Sequence, residues 1–140
     1  MRGVQNDETI PLNDLDALAR WADTYISDRP RPDFFVGAPD DHQLERWWVV
    51  PRNNLRNVYL HRFLRSDDNR AFHDHPWDNE SLILRGHYLE HLADGSSVTR
   101  FAGDRVSRKA IEAHRVELID DEPVITLFTT GPVIRDWGFY

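Results

Sequence analysis

Cysteine is absent from the 140-residue chain, which removes disulfides, thiolate metal sites and cysteine nucleophiles together. Any metal must therefore be held by His, Asp, Glu or water. Lysine is nearly absent too: Lys109 is the single one among 17 basic residues, and the arginines are spread from Arg2 to Arg135 without a run of three basics. Against 24 acidic residues this gives a formal charge of −7, so no electropositive face for nucleic acid is expected. No run of about 18 apolar residues occurs, so no membrane span is expected. Met1–Pro11 lacks the basic segment and apolar stretch of a secretory leader. A soluble, cytoplasmic protein with neither nucleic-acid nor membrane partners is the expectation.

What is present is enough for one core. Apolar residues make up 40% of the chain, with five Trp, seven Phe and four Tyr, outside the range of disordered composition. One compact domain is expected at this length. Asn13 is a good N-cap, and Asp14 and Asp16 follow it where the helix dipole favours negative charge. Leu15, Leu18, Ala19, Ala22, Tyr25 and Ile26 then recur at helical spacing, so the pattern predicts an amphipathic helix over 14–26. It stops before Asp28-Arg29-Pro30-Arg31-Pro32, because a proline disfavours helix in the residue before it. Phe34–His42, with Gly37 and Pro39, reads as a loop.

From Trp47 onward, short runs rich in β-branched and aromatic residues alternate with turn residues, which is all-β texture. The expected strands are Trp47–Val50, Val58–Leu64, Ser81–Leu84, His87–Leu92, Val98–Phe101, Arg115–Ile119, Val124–Thr130 and a piece around Val133–Trp137. Asp94-Gly95 is a hairpin signal and Arg85-Gly86 marks another sharp turn. Such a set fits a closed or double-sheet β architecture, which avoids exposed edges.

Seven histidines occur, and the informative arrangement is Phe72-His73-Asp74-His75-Pro76-Trp77. Residues i and i+2 of an extended chain share a face, so both imidazoles can converge on one ion at ~2.1 Å. A His-x-His pair alone is weak evidence; it serves as well in a turn or on a surface. Further on, Gly86 stands thirteen residues after His73, and His114 stands eleven after Gly103.

In these positions the chain resembles the cupin superfamily, whose first motif is Gly-x5-His-x-His-x(3,4)-Glu-x6-Gly and whose second is Gly-x5-Pro-x-Gly-x2-His-x3-Asn. His73, His75 and Gly86 match the first, and Gly103 and His114 match the second at its full spacing. Asp67 stands where the first motif opens with Gly. Lys109, Ile111 and Leu118 replace Pro, Gly and Asn of the second. Asn79 occupies the Glu slot, with Glu80 one residue later; on a regular strand Glu80 faces away from the ion unless a bulge intervenes. The likeness covers roughly residues 57–132.

The resemblance implies an all-β fold, the cupin double-stranded β-helix or jelly-roll barrel, with the N-terminal helix packed outside it. Residues 1–45 would form a helix-and-loop extension and 46–140 the barrel. It also implies one mononuclear divalent metal held by His73, His75 and His114, with Glu80 as a possible fourth ligand. Three imidazoles suit Zn, Fe, Ni or Cu, and Mn is a further alternative, whereas two His and a carboxylate typify Fe(II) oxygenases. Fe(II) is the expected ion and a small-molecule oxygenase (dioxygenase) the expected activity. An isomerase, a hydrolase or a non-catalytic module binding a sugar or acid are the alternatives, since fold alone does not fix chemistry. A homodimer is implied as well.

Other residues are read from their surroundings. His61 shares a strand face with Tyr59 and Phe63: either it is a packed core histidine or it is a proton donor or acceptor beside the ion. Arg135, among the C-terminal aromatics, is the candidate for holding a substrate carboxylate or phosphate. Asp74 and Asp78 read as solvated acids. Trp47 and Trp48 point to opposite faces, and one should pack on the helix.

Overall fold

The computed structural model describes residues 10–66 and 72–134. Helix α1 spans Leu15–Ser27. Its cap is Asp14, one residue later than the expected Asn13, with the carboxylate accepting from the Ala17 amide at 3.2 Å. A capping carboxylate also meets the positive end of the dipole, which the neutral Asn13 amide would not. The buried stripe is Leu18, Ala19, Ala22, Tyr25 and Ile26, as the periodicity predicts.

Nine strands follow: β1 Phe34–Ala38, β2 Asp41–Trp48, β3 Asn57–Phe63, β4 Asn79–Arg85, β5 His87–Leu92, β6 Ser97–Phe101, β7 Arg105–Arg108, β8 His114–Leu118 and β9 Val124–Thr130. They form two antiparallel sheets, one of six strands in the order β1-β2-β3-β9-β4-β7 and one of three in the order β6-β5-β8. The sheets face one another but do not close into a barrel. Between them Ile83 and Val124 of the large sheet pack on Tyr88, Val116 and Leu118 of the small one.

Two strands are not the expected ones. Phe34–His42 is a hairpin rather than a loop: β1 pairs with β2 from Phe34↔Arg46 to Ala38↔Asp41, with a bulge at Val36/Gly37. Gly37 makes this possible, because its φ is +113° and a Cβ there would lie 2.8 Å from the Asp41 carbonyl. The expected boundary at 45/46 therefore falls inside β2. β7 is short and polar, gives no alternation to read, and pairs with β4 at the end of the large sheet. Val133 and Ile134 are not in a strand, and residues 135–140 lie outside the described ones.

Alternation divides the large sheet cleanly. Trp47, Leu60, Leu82, Leu84 and Leu127 turn outward under α1 and join its apolar stripe. The docking is fixed at its end by Tyr25 Oη, which donates to the Trp48 carbonyl at 2.8 Å, and by Trp47 Nε1, which donates to the Arg29 carbonyl at 2.7 Å. The intervening residues of the same strands, among them Arg46, Trp48, His61, Ser81 and Phe128, turn inward to a cavity.

Candidate metal centre

His73 and His75 lie on an extended segment that the backbone ties to the loop before β8 and to β8 itself. His73 N–H donates to the His114 carbonyl at 3.0 Å and His114 N–H donates back at 2.9 Å, while His75 N–H donates to the Ala110 carbonyl at 3.0 Å. Asp78 Oδ1 accepts from the Ala110 amide at 2.7 Å and so braces that loop. This main-chain pairing brings the three imidazoles together, with ring centroids 5.1 Å apart for His73–His75, 4.8 Å for His73–His114 and 5.2 Å for His75–His114. One ring nitrogen from each lies within 4.8 Å of the others. Bonds of ~2.1 Å to one tetrahedral ion would set these nitrogens ~3.4 Å apart. Small side-chain rotations close that gap, so the donor set fits a single ion.

The orientation of His114 comes from a residue that sequence reasoning missed. Glu90, on β5, is fully enclosed, and its Oε2 accepts from His114 Nδ1 at 2.7 Å and from Arg108 Nε at 2.7 Å. Its Oε1 accepts from Arg100 Nε at 2.8 Å. Burial alone would raise the Glu90 carboxyl, but the hydrogen bonds from His114 and Arg108 outweigh it and hold the group well below the usual carboxylate range. The carboxylate places the His114 proton on Nδ1 and leaves Nε2 as the donor atom, a common device in imidazole metal sites. One signal was available: in His87–Leu92, Tyr88 and Glu90 share the inward face, so an acid sits in line with a core aromatic.

His75 stacks on Trp77 with centroids 5.4 Å apart. Burial first, then the charges of His114, His73, Arg108 and Arg46, push its imidazole down to about 2. It is neutral at pH 7, as a metal ligand must be.

The triad faces a cavity of about 620 Å³ between the sheets, whose wall includes Phe34, Arg46, Trp48, Phe63, Phe128 and Val116. His61 is both packed and on the cavity wall. It is buried, with its ring stacked on Phe128 at 4.8 Å, and it also lines the cavity. Arg46 Nε donates to His61 Nε2 at 2.9 Å, so the ring proton sits on Nδ1. Burial first, then Arg46 and His75, keep the imidazole well below its usual range and therefore neutral.

Glu80, included with the ligands on the resemblance, is not brought to the triad. Its side chain pairs with Arg105 and accepts from Ser107 Oγ at 3.3 Å, on the face of β4 that looks away from the cavity. The strand has no bulge between Asn79 and Ile83 to turn it. Asn79 is buried and its Nδ2 donates to the Trp77 carbonyl at 3.4 Å. Among the described residues the metal-type cluster is the three histidines alone. Asp74, read as a solvated acid, is fully buried, because the residue between two cavity-facing histidines turns into the protein instead. Arg135 lies outside the described residues.

No family model matches the sequence, and no curated protein matches it. The structure does have relatives. A cupin-like protein from Thermotoga maritima superposes with TM-score 0.62 at 16% identity, over 79% of this chain and 85% of that one. The DMSP lyase DddQ from Ruegeria pomeroyi gives 0.59 at 15% identity over 75% of this chain, and FeII HppE gives 0.60 at 11% over 74%. This chain spans only about half of those two, 54% of DddQ and 57% of HppE. At such identities the likeness establishes the architecture, and the architecture is the cupin double-stranded β-helix.

Proposed function

We propose that this cupin-fold chain is a mononuclear metal-dependent enzyme acting on a small organic molecule, with His73, His75 and His114 as the protein ligands. The observation that carries the reading is the convergence of three ring nitrogens within 4.8 Å at the wall of a cavity between the sheets, one of them oriented by a buried carboxylate. Three histidines with open positions are the form of a catalytic rather than a structural site. Such an ion, when bound, supplies Lewis acidity or, as Fe(II), activation of O2. The protein's own part is to hold His75 neutral, to orient His114 through Glu90, and to keep water from the substrate with Phe34, Phe63 and Phe128. His61, with its proton on Nδ1, is the hydrogen-bond donor we assign to the substrate.

Oxygen-dependent chemistry with Fe(II) is our first assignment; FeII HppE, on the same fold, supports an iron site, and the DMSP lyase supports an enzyme acting on a small molecule. A second reading, a Lewis-acid isomerase or hydrolase, is favoured by the position of Glu80. Three neutral imidazoles leave the full charge of the ion in place and lack the carboxylate of the common Fe(II) oxygenase set. Elemental analysis of protein purified without added ions, followed by O2-uptake measurements with a panel of small acids and alcohols, separates the two. Stoichiometric iron with substrate-dependent O2 uptake supports the oxygenase; zinc or nickel with turnover but no O2 uptake supports the second reading. If no ion binds stoichiometrically even when Fe(II), Zn, Ni and Mn are supplied, the enzyme reading falls and a metal-free binding module is left.

A further inference from the structure

Arginines near the cavity fall into two groups. Arg100 and Arg108 both bond to the Glu90 carboxylate, so their charge is spent within the protein. Arg46 is different. Its Nε donates to a neutral acceptor, His61 Nε2, and among the described residues it forms no salt bridge. The guanidinium sits 4.5 Å over the Tyr59 ring and 5.3 Å from the Phe34 ring, contacts that fix its plane. Burial lowers its pKa to about 10, which leaves it a cation at neutral pH. A half-buried, uncompensated cation is costly to maintain in a wall that is otherwise mostly apolar.

Position completes the argument. Arg46 bonds to His61, and Phe128 lies beside both His61 and His75, with centroids 4.8 and 6.1 Å away, so two rings in series, His61 and Phe128, link Arg46 to the histidine triad along the same cavity. With Nε engaged by His61, the two terminal amino groups remain as a fork, the geometry that receives a carboxylate in two parallel hydrogen bonds.

We propose that Arg46 is the anchor for the carboxylate of a small organic acid, which it holds with its apolar body along Phe34 and Phe128 and its far end toward the three histidines. The proposal rests on the reading of this cavity as the substrate site, but its test needs no metal.

The test is an NMR titration of the metal-free protein with hexanoate and with its neutral isostere hexanamide. Wild type should bind the acid at least about tenfold more tightly than the amide, the scale of a charge-assisted hydrogen bond. Arg46→Met should bring the two within a factor of about 2, Arg46→Lys should keep part of the preference, and Arg52→Ala, at the exposed rim, should keep it. Equal affinity for the two ligands in wild type, no binding of the acid, a preference that survives Arg46→Met in a folded variant, or one that disappears in Arg52→Ala would each overturn it. A zinc titration of the same samples keeps the two readings apart. Wild type that binds no metal yet prefers hexanoate sinks the metal assignment alone; wild type that binds metal yet shows no preference sinks this one alone.

Discussion

The two faces of the large sheet come from the same strands and could hardly differ more. Outward, Trp47, Leu60, Leu82, Leu84 and Leu127 meet the stripe of α1 in an aliphatic contact. Inward, one residue along each strand, Arg46, His61 and Ser81 face a cavity together with the aromatic rings of Trp48 and Phe128. The first face stabilises mainly by burial, with hydrogen bonds from Tyr25 and Trp47 at its end, and its leucines can be exchanged for apolar side chains of similar volume at small cost. The second carries a cation that pairs with no carboxylate among the described residues and a histidine whose charged form burial disfavours. The small sheet sharpens the contrast, since Glu90 and His114 on its inner face join Arg108, from β7 of the large sheet, in a connected ionic network. Stability is concentrated on one side of the sheet and chemistry on the other.

That division can be broken by substitution. The largest effect should come from the triad: His73→Ala, His75→Ala or His114→Ala is each expected to abolish stoichiometric metal binding with the far-UV spectrum unchanged. Retained metal in any of the three, measured by elemental analysis, would remove that residue from the donor set. On the opposite face Leu60→Ala should cost about 2–5 kcal/mol of unfolding free energy while leaving metal content at wild-type level in the folded protein. A denaturant melt together with metal analysis checks both halves, and a coupled loss of metal in the folded state would dissolve the contrast.

Glu90→Gln comes next. It keeps the shape but weakens the hold on His114 Nδ1, and metal affinity should fall about 10–100-fold in a zinc competition assay. Its pH signature has a definite sign. The folded carboxyl lies below its unfolded value near 4.3, so its stabilisation is present at neutral pH and fades as pH falls below about 4. In the metal-free protein the gap in Tm between wild type and Glu90→Gln should therefore narrow on acidification; a gap that widens would refute the assignment of an ionised Glu90. The smallest effect belongs to Glu80→Ala. An exposed pair with Arg105 contributes little, so stability should move by no more than about 0.5 kcal/mol and metal binding not at all.

Much of this was legible in the sequence where a period exists to be read. The helix stripe, the run Val124–Thr130, the turn at Asp94-Gly95 and the His-x-His pair all carry local signals, and Gly86 and Gly103 gave the register that singles out His114. Gly86 is held by its surroundings, with φ +80° and a Cβ position 2.7 Å from the Pro123 carbonyl. Signals failed where the physics is not local. Phe34-Phe35-Val36 shows no alternation and runs into Gly37 and Pro39, so a strand made possible by a bulge looks like a loop. Glu90 reads as a surface acid until Arg100, Arg108 and His114, from three other strands, are seen around it. Arg46 reads as one more solvent-facing arginine in a polar run, because nothing linear says that its neighbours across the sheet are His61 and Phe34.

The reciprocal backbone pairing of His73 with His114 makes the spacing of the donors independent of how much chain is looped out between them. The hairpin tip at Gly95 lies within that excursion, and a Cβ there would meet nothing within 4 Å. Leu92, three residues before that tip, pairs directly with His114, so a peptide tag spliced in at Gly95 would stand beside the paired segment and would report on how firmly that pairing holds the donors when its loop is lengthened.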